Sequence, residues 1–260
     1  MRHCLLYLLL LAYAAVAAAQ EPVNPLPADT LKQERKGSAW TLISPLGLHR
    51  KADFDTVAYN YQRQAVPSLV SEAYATTGNL GCAGMNEIFV EREPRSTFFF
   101  ADALRAWLPP AQKFYNVYIP FTQVSYNTGG NKQNTQDRLR INFAGNANRR
   151  VGIGAMLDYL YSKGMYQCQS SKDFTFGLSG YYRGDRYSLQ AFYDHYNLLN
   201  KENGGITDAR YITDPAQLQG GVSKIEALSI PVNLTDAHSR LSGQHLMVNQ
   251  AYSVGYWRTQ

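Results

Sequence analysis

The stretch Arg138 to Asn148, RLRINFAGNAN, decides the fold because it alternates between two kinds of side chain. Leucine, isoleucine, phenylalanine, glycine and alanine take every second position, and arginine, asparagine and one alanine stand between them. This period of two predicts a β-strand with one apolar and one polar face. The segment from Val151 to Ser162, VGIGAMLDYLYS, repeats the pattern, and only 148–150 separate the two. We therefore expect a tight antiparallel hairpin.

A second hairpin of the same design follows. Phe174 to Arg183, FTFGLSGYYR, and Tyr187 to Asp194, YSLQAFYD, both alternate in the same way. Gly184 and Asp185 lie between them and suit a turn, because glycine tolerates unusual backbone angles and aspartate bonds its own backbone.

The lengths of the connections alternate as well. The connections, in chain order, are a polar loop at 128–136, a turn at 148–150, a loop at 164–173, a turn at 184–185 and a long loop from about Leu198 to Leu241. The strands, of roughly 10 to 14 residues, exceed the mode of about 5–6 in soluble sheets. Tyrosine and phenylalanine concentrate at their ends, as in interfacial girdles. These features predict an all-β fold, an antiparallel transmembrane β-barrel of the outer-membrane type.

A soluble fold is the alternative. Period-two alternation also suits a secreted β-sandwich or a soluble ligand-carrying barrel, each with one half-buried sheet face. Strand length, and apolar faces on which glycine and alanine stand beside large aromatic residues, favour lipid contact over dense core packing.

The amino terminus has the organisation of an export signal. Arg2 precedes the apolar run 5–16, and alanines at 17–19 supply a small-residue cleavage site. Cleavage after Ala19 removes one of 25 basic residues and none of the 20 acidic ones, which leaves a net charge of +4. We predict a signal peptide at 1–19, a proline-punctuated extended periplasmic leader at 20–67, and barrel strands and loops at 68–260.

If the apolar faces meet lipid, the alternating polar residues line the lumen. The predicted lumen-lining residues are Arg138, Arg140, Asn142, Asn146, Asp158, Ser179, Arg183, Ser188, Gln190 and Asp194. Both signs of charge are present, so we expect a modest ion preference, with a local bias to anions near the two arginines. In a small barrel the same residues would instead fill a plugged lumen.

Several pieces of the chain, and their spacing, are typical of one family. They are YATTGNLG at 74–81, FFF at 98–100, FYN at 114–116, PFTQ at 120–123, YNTGG at 126–130, DYLY at 158–161 and GMY at 164–166. Over about 48–256 the chain resembles the putative porins of Bacteroidetes outer membranes. The resemblance implies an outer-membrane barrel, monomeric or a homo-oligomer such as a trimer, that passes small solutes and has no catalytic residues. Those proteins are considerably longer and end in an aromatic residue, so we expect this chain to be the amino-terminal portion of a larger barrel.

No pattern for catalysis or cofactor binding stands out. His195, His238 and His245 lack the spacing of metal ligands, and Cys82 with Cys168 allows at most one disulfide in the exported chain. The basic residues are scattered, which argues against nucleic acid as a partner. We expect no enzyme activity and no cofactor, with outer-membrane lipid and small hydrophilic solutes as partners. Two alternatives stay open. One is a surface or secreted β-domain that binds a ligand through its long loops, and the other is a barrel-embedded hydrolase, which would require a cluster of Ser, His and an acid at one rim.

Overall fold

The fold is built from antiparallel strands. The computed structural model describes residues 37–42, 48–52, 73–91, 103–109, 112–218, 220–221 and 224–254. Within them the strands are β1 Ser38–Leu42, β2 His49–Ala52, β3 Tyr74–Thr76, β4 Gly84–Asn86, β5 Lys113–Asn116, β6 Phe121–Gly129, β7 Gln136–Asn146, β8 Val151–Lys163, β9 Ser170–Arg183, β10 Tyr187–Glu202 and β11 Ala237–Tyr252. Short helices lie at Arg210–Thr213 (α1) and Pro215–Leu218 (α2), with single 3-10 turns at Phe89–Glu91, Arg105–Trp107 and Ala227–Ser229.

Six of these strands form the main sheet. Strands β6 to β11 lie side by side in chain order, each antiparallel to the next. Both predicted hairpins are present, and the all-β antiparallel fold is confirmed. The sheet is open: β6 and β11 are its outer strands, and it does not close into a barrel within the described residues. The described helices include none that is long and apolar enough to cross a membrane.

The connections differ in length at the two ends of the main sheet. Segments 147–150 and 184–186 join strands at one end, which we call the turn end. Segments 130–135, 164–169 and 203–236 join strands at the other end, which we call the loop end. The last of these loops is shorter than the predicted loop from about Leu198 to Leu241, because β10 continues to Glu202 and β11 begins at Ala237.

The register of the main sheet separates two faces. The inward face carries Arg140 of β7, Asp158 of β8 and Thr175 of β9, which are consecutive partners across the strands. The outward face carries Ile141, Leu157 and Phe176, which are partners in the same way. Because side chains alternate along each strand, these residues fix the face to which each remaining position of the sheet belongs.

An amino-terminal part of the chain packs on the inward face. We call its described portion, residues 37–42, 73–91, 103–109 and 112–117, the cover. Strand β1 pairs with β2 and β5 in a small sheet, and β5 contacts β7, β8 and β9. We predicted an extended leader over 20–67 and barrel strands from residue 68. These bounds stay a prediction. Within the described pieces 37–42 and 48–52, β1 and β2 pair with each other, and β1 also pairs with β5.

Two further expectations concern the signal peptide and the cysteines. The predicted signal peptide at 1–19 lies outside the described residues, as do 98–100 of the family pieces. Cys82 and Cys168 are both free thiols.

Candidate functional site

The inward face brings the predicted lumen-lining residues together. The register places all ten of them on that face, spread over β7, β8, β9 and β10. Their role in a lumen stays a prediction. The sharing of one face follows from the period of two, which antiparallel pairing preserves across strands.

A cluster of two arginines and one aspartate lies at the centre of this face. Arg138 donates from Nε to Oδ1 of Asp158 at 3.0 Å and from Nη2 to Oδ2 at 2.7 Å. Arg140 donates from Nε to the same Oδ2 at 3.0 Å. Two-point contacts between a guanidinium and a carboxylate are strong and directional. The cluster therefore has a net positive charge at a fixed place.

A cavity of about 350 Å³ is lined by this cluster and by the cover. Its wall includes Arg138, Arg140, Asn142, Asp158 and Ser179 from the sheet and Trp107, Gln112 and Tyr115 from the cover. The Arg138 guanidinium lies 5.7 Å from the centroid of the Trp107 ring, within range of a cation–π contact. Five predicted lumen-lining residues thus face one shared space.

The cover is fixed to the inward face near the turn end by aromatic packing. Trp40 and Phe114 stack with ring centroids 5.8 Å apart, and the Trp40 ring meets the Tyr181 ring edge-on at 4.9 Å. Asn146 donates from Nδ2 to Oδ1 of Asn116 in the cover at 2.7 Å and to the Tyr181 hydroxyl at 3.2 Å. The Arg183 guanidinium lies 5.2 Å from the centroid of the Trp40 ring. Two predicted lumen-lining residues therefore hold the cover in place.

A second attachment lies toward the loop end. Leu104 and Trp107 of the cover pack with Leu160 and Leu198 of the inward face, and all four are buried. Gly81 has φ +87°, and a Cβ added there would lie 2.8 Å from an oxygen of Asp173. Glycine is thus required both by its backbone angle and by the close approach of cover to sheet.

Sequence reasoning missed one polar pair on the inward face. The Nδ1 atom of His245 lies 2.7 Å from Oδ1 of Asp194, within hydrogen-bonding distance. The two residues are partners across β10 and β11. The pair could have been predicted only from the register between these strands, since the two residues lie far apart in the chain. His195 lies next to Asp194 but on the outward face, and no group of His, Cys, Asp and Glu in the described ranges could hold a metal ion.

The long loop 203–236 has local order of its own. Ile206 and Val232 form an isolated antiparallel bridge. Hydrogen bonds from Arg210 to the carboxylate of Asp208 hold the pKa of that carboxyl below its ordinary value. This order shapes the loop end of the inward face.

The outward face carries an exposed apolar band. Val124, Ile153, Leu178, Leu246 and Val248 of this face are between 46% and 74% exposed. An apolar surface of this extent marks a contact with a membrane or another protein. The predicted apolar faces are therefore uncovered in the described part of the chain.

The apolar band crosses the strands obliquely. The register connects Val124 on β6, through Ile141, Leu157, Phe176 and His195, with Gln244 on β11. On β11, however, the apolar outward residues run from Leu246 to Tyr252, closer to the turn end. The centre of the band moves by about five residues, or about 17 Å, across five strand spacings of about 4.8 Å, which gives a slope of about 35°.

Aromatic residues mark both margins of this band. Tyr182, Tyr187 and Tyr252 lie at its turn-end margin, where the Tyr182 and Tyr187 rings are 6.1 Å apart. Tyr126, Tyr159 and Tyr161 lie toward its loop-end margin. On β8 the band extends from Val151 to Tyr161, about 33 Å along the strand and about 27 Å across the band at that slope.

The comparison with protein families identifies the family of the chain. The family described as putative porin matches residues 36–260. The chain belongs to the putative porin family. No curated protein matches the chain, and no solved structure matches it. The family resemblance drawn from the sequence is therefore confirmed.

Proposed function

We propose that this putative porin forms an outer-membrane channel that lets small hydrophilic solutes diffuse passively, without enzyme activity. The observation that carries the proposal is the division of the main sheet into an exposed apolar face and a polar face. In a bilayer the first would contact lipid and the second would face water.

The geometry of the apolar band supports the lipid side of the proposal. Outer-membrane barrels have strands tilted by about 35–45° and an apolar belt about 25 Å tall, bounded by aromatic girdles. The band has a slope of about 35° and a height of about 27 Å, and Tyr187 and Tyr126 lie at opposite margins.

The inward face supports the solute side. Hydrophilic solutes need polar surface along their path, and the ten predicted lumen-lining residues share the inward face. The cluster of Arg138, Arg140 and Asp158 carries a net positive charge beside the 350 Å³ cavity. We therefore expect mild anion preference in the conducting channel.

The cover sets how wide the path is. It occupies part of the inward face through Trp107 and Phe114, so solutes would pass beside it rather than through an empty lumen. We expect a small conductance, and we expect release of the cover to widen the path.

Planar bilayer recording tests the proposal. Purified full-length protein should give stepwise ion conductance in a salt gradient, and liposomes that contain it should swell in small sugars faster than protein-free liposomes. Stable insertion into bilayers with neither conductance nor swelling would refute the channel role. Protein that stays in the soluble fraction of cells would refute the membrane location.

A further inference from the structure

A cavity of about 630 Å³ opens at the loop end of the inward face. It lies between the ends of β8 and β10, the loop 164–169, the start of the loop 203–236 and residues 77–82 of the cover. This volume is within the range of about 300–1,000 Å³ typical of small-molecule sites. It is separate from the cavity beside Arg138.

The polar side chains of this cavity are mostly carboxamides. Those that line it are Asn79, Asn134, Gln136, Gln169, Asn200 and Asn203. A carboxamide offers both an acceptor oxygen and two N–H donors on one planar group. Such groups match the neighbouring hydroxyls of a sugar, each of which donates and accepts. The ring of Tyr166, also in the wall, can stack on a sugar ring.

Asn200 is the strongest sign that the cavity accepts a ligand. Its side chain is 1% exposed, and neither Oδ1 nor Nδ2 has a hydrogen-bond partner in the described structure. Buried polar groups are nearly always bonded, since an unbonded one costs the desolvation energy of that group. A bound ligand would supply the missing partners.

Asn79 repeats this feature from the cover. Its Nδ2 atom donates to the hydroxyls of Ser162 and Ser171 at 2.6 and 2.8 Å, which fixes the side chain. Its Oδ1 atom is buried and has no partner in the described structure. One oriented acceptor therefore remains beside Asn200, whose strand neighbour on the inward face is Ser171.

The charged residues of the cavity lie at its exposed side. Lys163, Lys201 and Glu202 are exposed, whereas Asn79 and Asn200 are buried. The buried part can therefore satisfy hydroxyl groups but offers no charge to a ligand. We propose that this cavity is a binding site for short neutral saccharides. The inference rests on the proposed channel role, to which it adds a class of solute that binds at the loop-end mouth of the channel.

Calorimetry on the full-length protein in phosphatidylcholine nanodiscs tests the site, because these lipids carry no saccharide headgroup. Titration with maltotriose should release saturable heat that is insensitive to salt, since screening acts on charges. Asn200→Leu should weaken binding about tenfold or more, the effect of one or two lost hydrogen bonds. It should leave the Tm unchanged or raise it, because the amide has no protein partner to lose.

Asn197→Leu is the matched control. Asn197 lies on the same strand but on the outward face, where it accepts from Arg240 at 2.6 Å. It should bind maltotriose like the wild type. If Asn200→Leu does not insert into bilayers, Asn200→Ala serves in its place.

The outcomes separate this inference from the channel role. Normal ion conductance without maltotriose binding would overturn the saccharide site and leave the channel standing. Binding of trigalacturonate alone, abolished by salt, would overturn the neutral class of ligand. Maltotriose binding that depends on Asn200 in a protein without conductance would support the site and refute the channel.

Discussion

Arg138 and Asp158 are joined at two points across neighbouring strands, with Nε–Oδ1 at 3.0 Å and Nη2–Oδ2 at 2.7 Å. Arg140 shares the same carboxylate. One acid thus compensates two bases on the inward face. In a narrow polar path this arrangement places a fixed positive charge where solutes would pass.

Replacing Asp158 with asparagine should make the channel more selective for anions. The change leaves both guanidinium groups without their carboxylate, so the local positive charge increases. The reversal potential in a potassium chloride gradient should shift toward that of chloride. We also expect a loss of about 1–3 kcal/mol in the free energy of unfolding, because the buried Arg138 and the half-buried Arg140 lose a charged acceptor.

Asp185→Asn is the control for that change. Asp185 also pairs with an arginine, Arg150, but in an exposed turn with the two groups 3.0 Å apart. Exposed pairs contribute about 0–1 kcal/mol. An equal shift of the reversal potential in both variants would contradict a special role for the Asp158 cluster.

Tyr181→Ala should release the cover near the turn end. The change removes the ring on which Trp40 packs and the hydroxyl that Asn146 bonds. Loss of a large buried aromatic side chain costs about 3–5 kcal/mol. Limited proteolysis should then cleave within 37–117 faster, and single-channel conductance should increase.

The neighbouring tyrosine provides a matched comparison. Tyr182 lies on the outward face beside Tyr187, on the opposite side of the sheet from the cover. Tyr182→Ala should therefore leave proteolysis and conductance as in the wild type. Unchanged conductance in Tyr181→Ala, despite faster cleavage of the cover, would show that the cover does not narrow the path.

Leu178→Arg should destabilise the protein in a bilayer. Leu178 is 46% exposed and lies midway along the apolar stretch of β9. Arginine at the bilayer midplane of a barrel costs about 2–4 kcal/mol. On a water-exposed surface the same change would cost less than about 0.5 kcal/mol. Guanidinium unfolding in lipid vesicles distinguishes the two, with Gln244→Arg, outside the band, as the near-neutral control.

The alternation of β7 and β8 made their strands and faces predictable from the sequence. We predicted strands from Arg138 and from Val151, and the structure begins them at Gln136 and Val151. A strand with apolar residues on one side and polar residues on the other has a strong period of two in its sequence. Where both conditions hold, sequence and structure agree closely.

The second half of β10 could not be predicted in this way. Beyond Tyr193 the outward residues His195 and Asn197 are polar, while Leu198 on the inward face is apolar and buried. The polarity of the faces reverses because Leu104 and Trp107 of the cover pack on this part of the inward face. Local alternation carries no information about a distant segment that covers a strand.

The same reasoning explains what was missed in the candidate site. Asp194 and His245 meet only because β10 and β11 pair in one register. Asn79 and Asn200 share a cavity only because the cover folds back onto the sheet. Both depend on contacts between residues far apart in the chain, which a single sequence does not encode locally.

Spin labels at neighbouring positions test the central claim most directly. In protein with Cys82 and Cys168 replaced, nitroxides would be placed singly at Leu178 and Ser179 on β9 and at Leu189 and Gln190 on β10. The labels at Leu178 and Leu189 should collide mainly with oxygen, which dissolves in lipid. Those at Ser179 and Gln190 should collide more with a water-soluble nickel complex. Equal collision rates within each pair, or the reverse order, would contradict the assignment of the outward face to lipid and the inward face to water.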